Sequence, residues 1–330
     1  MMLTIGLFIS SAAVIYLACE FFVNGVEWVG RKLNVSQTAT GTVLAAFGTA
    51  LPESVVTIVA VTTGNTSADK EIGIGAAIGG PLVLSTIAYA VVGIVLWSCK
   101  KRRDRGPYLD VDGRRLSRDQ GWFLLIFAFK IALGLVAFSF KPWLGVLFLA
   151  AYALYLWKEM RGEPEETGHY PEPLKLRPRS ADPGAGWALL QTVLALVVIF
   201  GASRVFVDQL DDIGPWLGLS PQVTALLLSP VATELPEILN AVIWVRQGKE
   251  RLALANISGA MMIQATVPTA FAVQFTPWLL DPPLLLAAAV TAASVSVLCL
   301  AFRSGRVTGR ALTLVGLLYA LFAGLLAAMR

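Results

Sequence analysis

Histidine and cysteine are nearly missing from this chain, which has one His and three Cys in 330 residues. The lone His169 lies in a polar, proline-rich stretch, so the apolar segments offer no Ser–His or Cys–His pair for nucleophilic catalysis. Cys19, Cys99 and Cys299 have neither CxxC spacing nor the spacing of a disulfide framework. Each falls within or at the end of an apolar run, where a thiol serves as a small apolar filler. Charge is scarce too: Asp, Glu, Lys and Arg make up 15% of the chain, against about 25% in soluble domains. A cleavable secretory signal is also lacking, since the first apolar run continues straight into Glu20 and Asn24 and reads as a first helix.

What fills the chain instead is hydrophobic, at 56% of residues and a mean hydropathy of +0.69. Apolar runs of membrane-spanning length fall at 3–24, 39–62, 72–98, 121–138, 142–158, 187–208, 221–245, 251–275, 283–302 and 310–329. They predict an all-α integral membrane protein of ten transmembrane helices. The fourth and fifth runs are separated only by Ser139 to Pro142 and also allow one kinked span. The net charge of +4 would suit nucleic acid, but its placement argues for topology. Arg31 and Lys32, the run from Lys100 to Arg118, Lys158 to Arg179, Arg246 to Arg251 and Arg303 to Arg310 all fall in alternate connections. The opposite connections hold only Lys70, Lys141 and Arg330. The positive-inside rule then puts both termini outside a plasma or inner membrane and leaves no nucleic-acid partner. The basic loop from Lys100 to Asp119 reads as solvated and topology-setting, with anionic membrane lipid as an alternative contact.

The second half of the chain repeats the first. Phe22-Val23 aligns with Phe206-Val207, Asn24 with Asp208, Thr49 with Thr233, Pro52-Glu53 with Pro236-Glu237 and Gly64 with Gly248 at a constant offset. Five helices per copy is an odd number, so the copies enter the membrane from opposite sides as inverted-topology repeats. The predicted units are a first five-helix repeat over 1–157, a cytoplasmic linker over 158–186 and a second repeat over 187–330.

An ionised carboxylate within a membrane span costs several kcal/mol and requires a partner or a water-filled cavity. Glu53 and Glu237 are such carboxylates, each preceded by a proline that frees carbonyls one turn back. Thr49 and Thr233 lie four residues before them, on the same helical face. Glu234 adds a carboxylate three residues before Glu237, and Asn256 and Gln264 of the eighth span are further candidates. A hard cation such as calcium takes six to eight oxygen ligands, and these residues supply oxygen without His or Cys. The alternative is that the prolines are kinks and the glutamates permanently protonated. Glu20, Asn24, Arg204 and Asp208 read as access-path or interhelical contacts, Lys130 as a side chain that snorkels or pairs, and the glycines around Gly73 to Gly80 as packing residues.

FGTALPE followed by IGIGAAIGG, and VATELPE followed by ALANISGA, resemble the two alpha-repeats of the calcium/cation antiporter superfamily, which includes sodium/calcium exchangers. The similarity spans nearly the whole chain. It implies an exchanger fold with Glu53 and Glu237 as central cation ligands, Thr49 and Thr233 beside them, and exchange of calcium against sodium or protons by alternating access, with no cofactor. The chain departs from the pattern at Ala50 and Glu234, which stand in serine positions, and at Ala76, Gly80, Pro81 and Leu84, which replace polar groups. Asn256 is kept, while Ala260, Met261 and Gln264 differ. One carboxylate is gained, and several groups of the sodium-ligand type are gone. Proton coupling is therefore an option beside sodium. Two other functions fit parts of the pattern: a non-transporting ion-binding homologue, and a membrane lipid-phosphate enzyme, for which no nucleophile or phosphate-binding set is visible.

Overall fold

The computed structural model describes residues 2–33, 46–63, 67–98, 109, 111–160, 171–216, 226, 230, 233–305 and 307–329. Among these, the apolar runs form ten helical elements: α1 (Met2–Lys32), α2 (Ala46–Thr63), α3, α4 (Gly113–Gly134), α5 (Gly145–Met160), α6 (Ala185–Trp216), α7 (Leu235–Arg246), α8 (Glu250–Phe275), α9 (Pro282–Arg303) and α10 (Gly309–Ala328). Helix α3 is composite, with Ser67–Val83 leading into a π-helical segment Leu84–Ala88 and on to Tyr89–Ser98. The π segment follows Pro81, which lies inside the helix and removes a backbone donor. The Ser85 and Thr86 hydroxyls both donate to the Leu82 carbonyl, and Ser294 of α9 donates to the Ser85 carbonyl at 2.6 Å, so the disturbed turn keeps its polar groups occupied.

Several helix ends are capped as their sequences require. Asp112, Asp281 and Thr308 accept from the backbone N–H three residues on, which satisfies orphan donors at the starts of α4, α9 and α10. Helix α4 starts eight residues before the predicted span at 121. Its first two turns carry Arg114, Arg115, Arg118 and Asp119 ahead of the apolar run that starts at 121. Between α4 and α5 the helix stops at Gly134 and resumes after a 3-10 turn, Lys141–Leu144, so the fourth and fifth runs are two separate helices. Lys141 fixes that corner by donating to the carbonyls of Val136, Pro277 and Trp278. Trp278 itself holds a left-handed backbone (φ 47°).

Helix α8 is the axis of the bundle. It packs against α2, α3, α4, α5 and α7, and nearly every residue from Leu252 to Val273 is buried. Helix α1 packs mainly along α6, and α10 along the last turns of α3. Gly93 and Gly309 meet there so closely that a Cβ on Gly93 would strike the Gly309 carbonyl and Thr313. Outside, the bundle shows large apolar side chains such as Leu3, Leu125, Trp143, Val197, Leu300 and Leu317, while Thr49, Glu234, Glu237, Asn240, Asn256 and Gln264 are buried. An apolar surface around a core that encloses a polar cluster is a pattern a bilayer solvates. Among the described residues, five stretches are long and apolar enough, by length and composition, to cross a membrane: Leu3–Lys32, Gly73–Ser98, Ala185–Ala202, Pro282–Arg303 and Gly309–Ala328.

The predicted linker is more structured than its composition suggests. Residues 161–170, with His169, lie outside the described residues, but 171–184 form a strap against α1 and α6. Asn24 Nδ2 donates to the Glu172 carbonyl at 3.0 Å, and Trp28 Nε1 donates to the same oxygen at 2.8 Å. Asn24 Oδ1 accepts from the Lys175 N–H and from Gln191 Nε2. Leu174 is fully buried against Trp28 and Ala188. Asn24 is thus an anchor for the strap, and Glu20 pairs with Lys175 at 3.2 Å.

Candidate cation site

Among the described residues, three helices bring most of the sequence-predicted residues together. Helix α2 contributes Thr49, fully buried. Glu53 lies on the same helix one turn further on, but its side chain, like that of Pro52, lies outside the described residues. The second contribution comes from the start of α7. The sequence reads the run 221–245 as an interrupted helix, and Glu234 is the N-cap residue of α7, with Pro236 in its first turn and Glu237 beside it. Pro236 has no N–H, which costs nothing in the first turn of a helix. Both carboxylates sit at the start of α7. Helix α8 contributes Asn256 and Gln264.

Gln264 Nε2 donates to Glu234 Oε1 at 2.7 Å. The Thr49 hydroxyl lies beside the Glu237 carboxylate, yet among the described residues neither carboxylate oxygen of Glu237 has a partner in hydrogen-bond geometry. Thr233 donates to the Pro230 carbonyl at 3.4 Å. On α1, the Cys19 thiol touches the Pro236 carbonyl at 3.9 Å, so this cysteine packs directly against the proline–glutamate turn.

These helices also hold buried polar atoms with no partner among the described residues: Glu234 Oε2, both oxygens of Glu237, and the side-chain amides of Asn240 and Asn256. Ser54 Oγ and Thr57 Oγ1 of α2 are in the same condition. A buried polar group without a partner costs about 1–3 kcal/mol, so so many on three packed helices imply something that satisfies them together. Mostly they are oxygens with free lone pairs, the demand a hard cation or its water meets. No group of three or more His, Cys, Asp or Glu side chains is gathered for a metal among the described residues. The described oxygens at the site belong to the Glu234 and Glu237 carboxylates and to amide and hydroxyl side chains. Asn240, Ser54 and Thr57 were not singled out from the sequence. The signal was available for Asn240, a polar residue three positions after Glu237 on the same face.

Away from this cluster, a cavity of about 240 Å³ runs along α1, lined by Glu20, Asn24, Glu27, Glu172, Lys175 and Lys249 among others. Of the two expectations for Lys130, snorkelling or pairing, the second holds: it is fully buried, and its Nζ donates to the Ala77 carbonyl of α3 at 2.7 Å.

Comparison with known proteins bears on this cluster. The chain is similar to the inner membrane protein YrbG of Escherichia coli (strain K12), with 25% identity over 295 residues, covering 86% of this chain and 83% of that one. It is 23% identical to the putative antiporter CaxA of Alkalimonas amylolytica over 261 residues, covering 78% and 77% of the two chains. The fold matches that of the sodium–calcium exchanger NCX_Mj with a TM-score of 0.76 at 21% identity, over 98% of each chain. The sequence profile of the family described as "Sodium/calcium exchanger protein", whose members are transporters rather than enzymes, matches residues 3–159 and 187–328, and the chain belongs to that family.

Proposed function

We propose that this membrane protein is a secondary antiporter that binds calcium or another hard cation between α2, α7 and α8 and exchanges it against sodium or protons. In this reading Glu53 and Glu237 are the central ligands, with Thr49, Thr233, Glu234, Asn256 and Gln264 around them, and Asn240 joins the set. The single observation that carries it is the cluster of buried, unpartnered oxygens around Glu234 and Glu237. The ten helices act as two inverted five-helix repeats, 1–157 and 187–330, joined by 158–186, in a plasma or inner membrane with both termini outside. The repeats rock so that the site faces each side in turn. The cavity lined by Glu20, Glu27, Lys175 and Lys249 lies along α1, the helix whose Cys19 packs against Pro236.

The test is an ion-dependent thermal shift followed by flux in reconstituted vesicles. Calcium stabilises the wild-type protein and drives counterflow of sodium or protons, and Glu237→Gln abolishes both. A Glu237→Gln protein that keeps the wild-type calcium response sinks the site. Binding without flux identifies an ion-binding homologue instead.

A further inference from the structure

In an α-helix the N–H of residue 81 would bond to the carbonyl of residue 77. Pro81, inside α3, has no N–H, so the Ala77 carbonyl lacks its helical donor. The donor that takes its place is the Lys130 ammonium, reaching across from α4 to 2.7 Å. The ammonium also stands 5.2 Å from the ring centroid of Phe127 and 6.0 Å from that of Trp278. The Trp278 indole N–H bonds the Lys130 carbonyl at 2.9 Å and holds the segment in place. A freed backbone carbonyl beside aromatic faces is an environment that receives a desolvated monovalent cation.

This position is tied to the carboxylates. Gly79, two residues beyond Ala77, crosses the chain at Pro230, where a Cβ would come within 2.6 Å of the proline ring. The Pro230 carbonyl accepts the Glu234 N–H at 2.9 Å and the Thr233 hydroxyl at 3.4 Å. The helix that carries the Lys130 contact therefore also braces the turn that carries Glu234. A fixed positive charge here opposes a mobile one through a low-dielectric interior that bulk salt does not screen.

We propose that the Lys130 ammonium is a built-in cation, occupying on α3 a position that a free monovalent cation would otherwise take. The transport cycle then carries one monovalent cation fewer than the same site without the lysine. The proposal rests on the antiporter reading above for its consequence, but not for its binding chemistry.

Lys130→Ala vacates the position. In thermal-shift titrations at constant ionic strength, with choline as the inert cation, this variant gains a saturable stabilisation by ethylammonium, sodium or potassium beyond that of the wild type. The gain is about 5 °C at a hundredfold excess over the dissociation constant. Lys130→Arg gains none. A Lys130→Ala protein stabilised by these cations no more than the wild type overturns the proposal. If that variant does not fold, Lys130→Gln keeps a donor for the Ala77 carbonyl while deleting the charge. In vesicles its reversal potential then shifts by one monovalent cation per turnover, and an unchanged reversal potential overturns the proposal equally. The thermal titrations need no transport. A protein that binds ions without exchanging them therefore fails the flux test of the proposed function and leaves these titrations to decide on Lys130.

Discussion

Glu27 of α1 and Lys249, at the turn between α7 and α8, form an ion pair at 2.5 Å with 8% and 11% of their side chains exposed. The Trp244 indole N–H adds a second donor to the same carboxylate at 2.9 Å. Removing one member of such a pair leaves a buried charge uncompensated. Lys249→Met is expected to destabilise the protein by about 3 kcal/mol, and Glu27→Gln/Lys249→Met to recover most of that loss. Thermal unfolding of the four proteins of the cycle measures it. A single variant no less stable than the double one would contradict the pairing.

The unpartnered amide of Asn240 predicts a trade between stability and binding. Asn240→Leu replaces an unsatisfied polar group with an apolar one of similar volume, so the cation-free protein should gain about 1 kcal/mol. Its calcium-dependent thermal shift should shrink. A variant that loses stability without cation, or keeps the full calcium response, removes Asn240 from the ligand set.

Asp119, ahead of the apolar run of α4, carries a pH signature. Burial, followed by the nearby Glu159, raises its carboxyl from 3.8 to about 7, against the opposing pull of Arg118 and Arg115. Tyr89 and Tyr155 also face it. Because the folded state holds this proton more tightly than the unfolded one, the group's contribution to stability falls as pH rises from about 4 to about 7 and is level above that. Asp119→Asn should flatten this part of the stability-against-pH curve. An unchanged slope would show that another group titrates there.

Two glycines of α3 should respond oppositely to the same change. Gly93→Ala drives a methyl into the Gly309 carbonyl and Thr313, at a cost of about 2 kcal/mol, since backbone has little room to yield. A methyl on Gly75 meets nothing within 4 Å, so Gly75→Ala should be neutral or stabilising by up to about 1 kcal/mol. Equal effects would mean that the α3–α10 crossing is looser than described.

The helical content and the core of the candidate site were readable because hydrophobic runs and a repeated proline–glutamate pair are local signals. Thr49, Glu234, Glu237, Asn256 and Gln264 are all buried on neighbouring helices, although their role as ligands awaits the tests above. What sequence did not reveal depends on partners distant in the chain. Pro81 announces that the Ala77 carbonyl is free, but nothing in the pattern names Lys130, fifty-three positions away, as its donor. Snorkelling and pairing were both open for a lone lysine, and Phe127 and Trp278 beside the ammonium go with the paired arrangement. In the same way Leu174 and Asn24 tie down a stretch whose proline and charge content reads as solvated linker.

That strap belongs by covalent order to the later part of the chain and by hydrogen bonding to α1. If the polypeptide were supplied as two fragments divided between residues 161 and 170, the second fragment would still bring Glu172, Lys175 and Leu176 to the places they hold against Asn24, Glu20 and Gln191. The fragments would then have a built-in means of finding each other, and α1 and α6 would remain fastened at this end as one lever whether or not the chain between them is continuous.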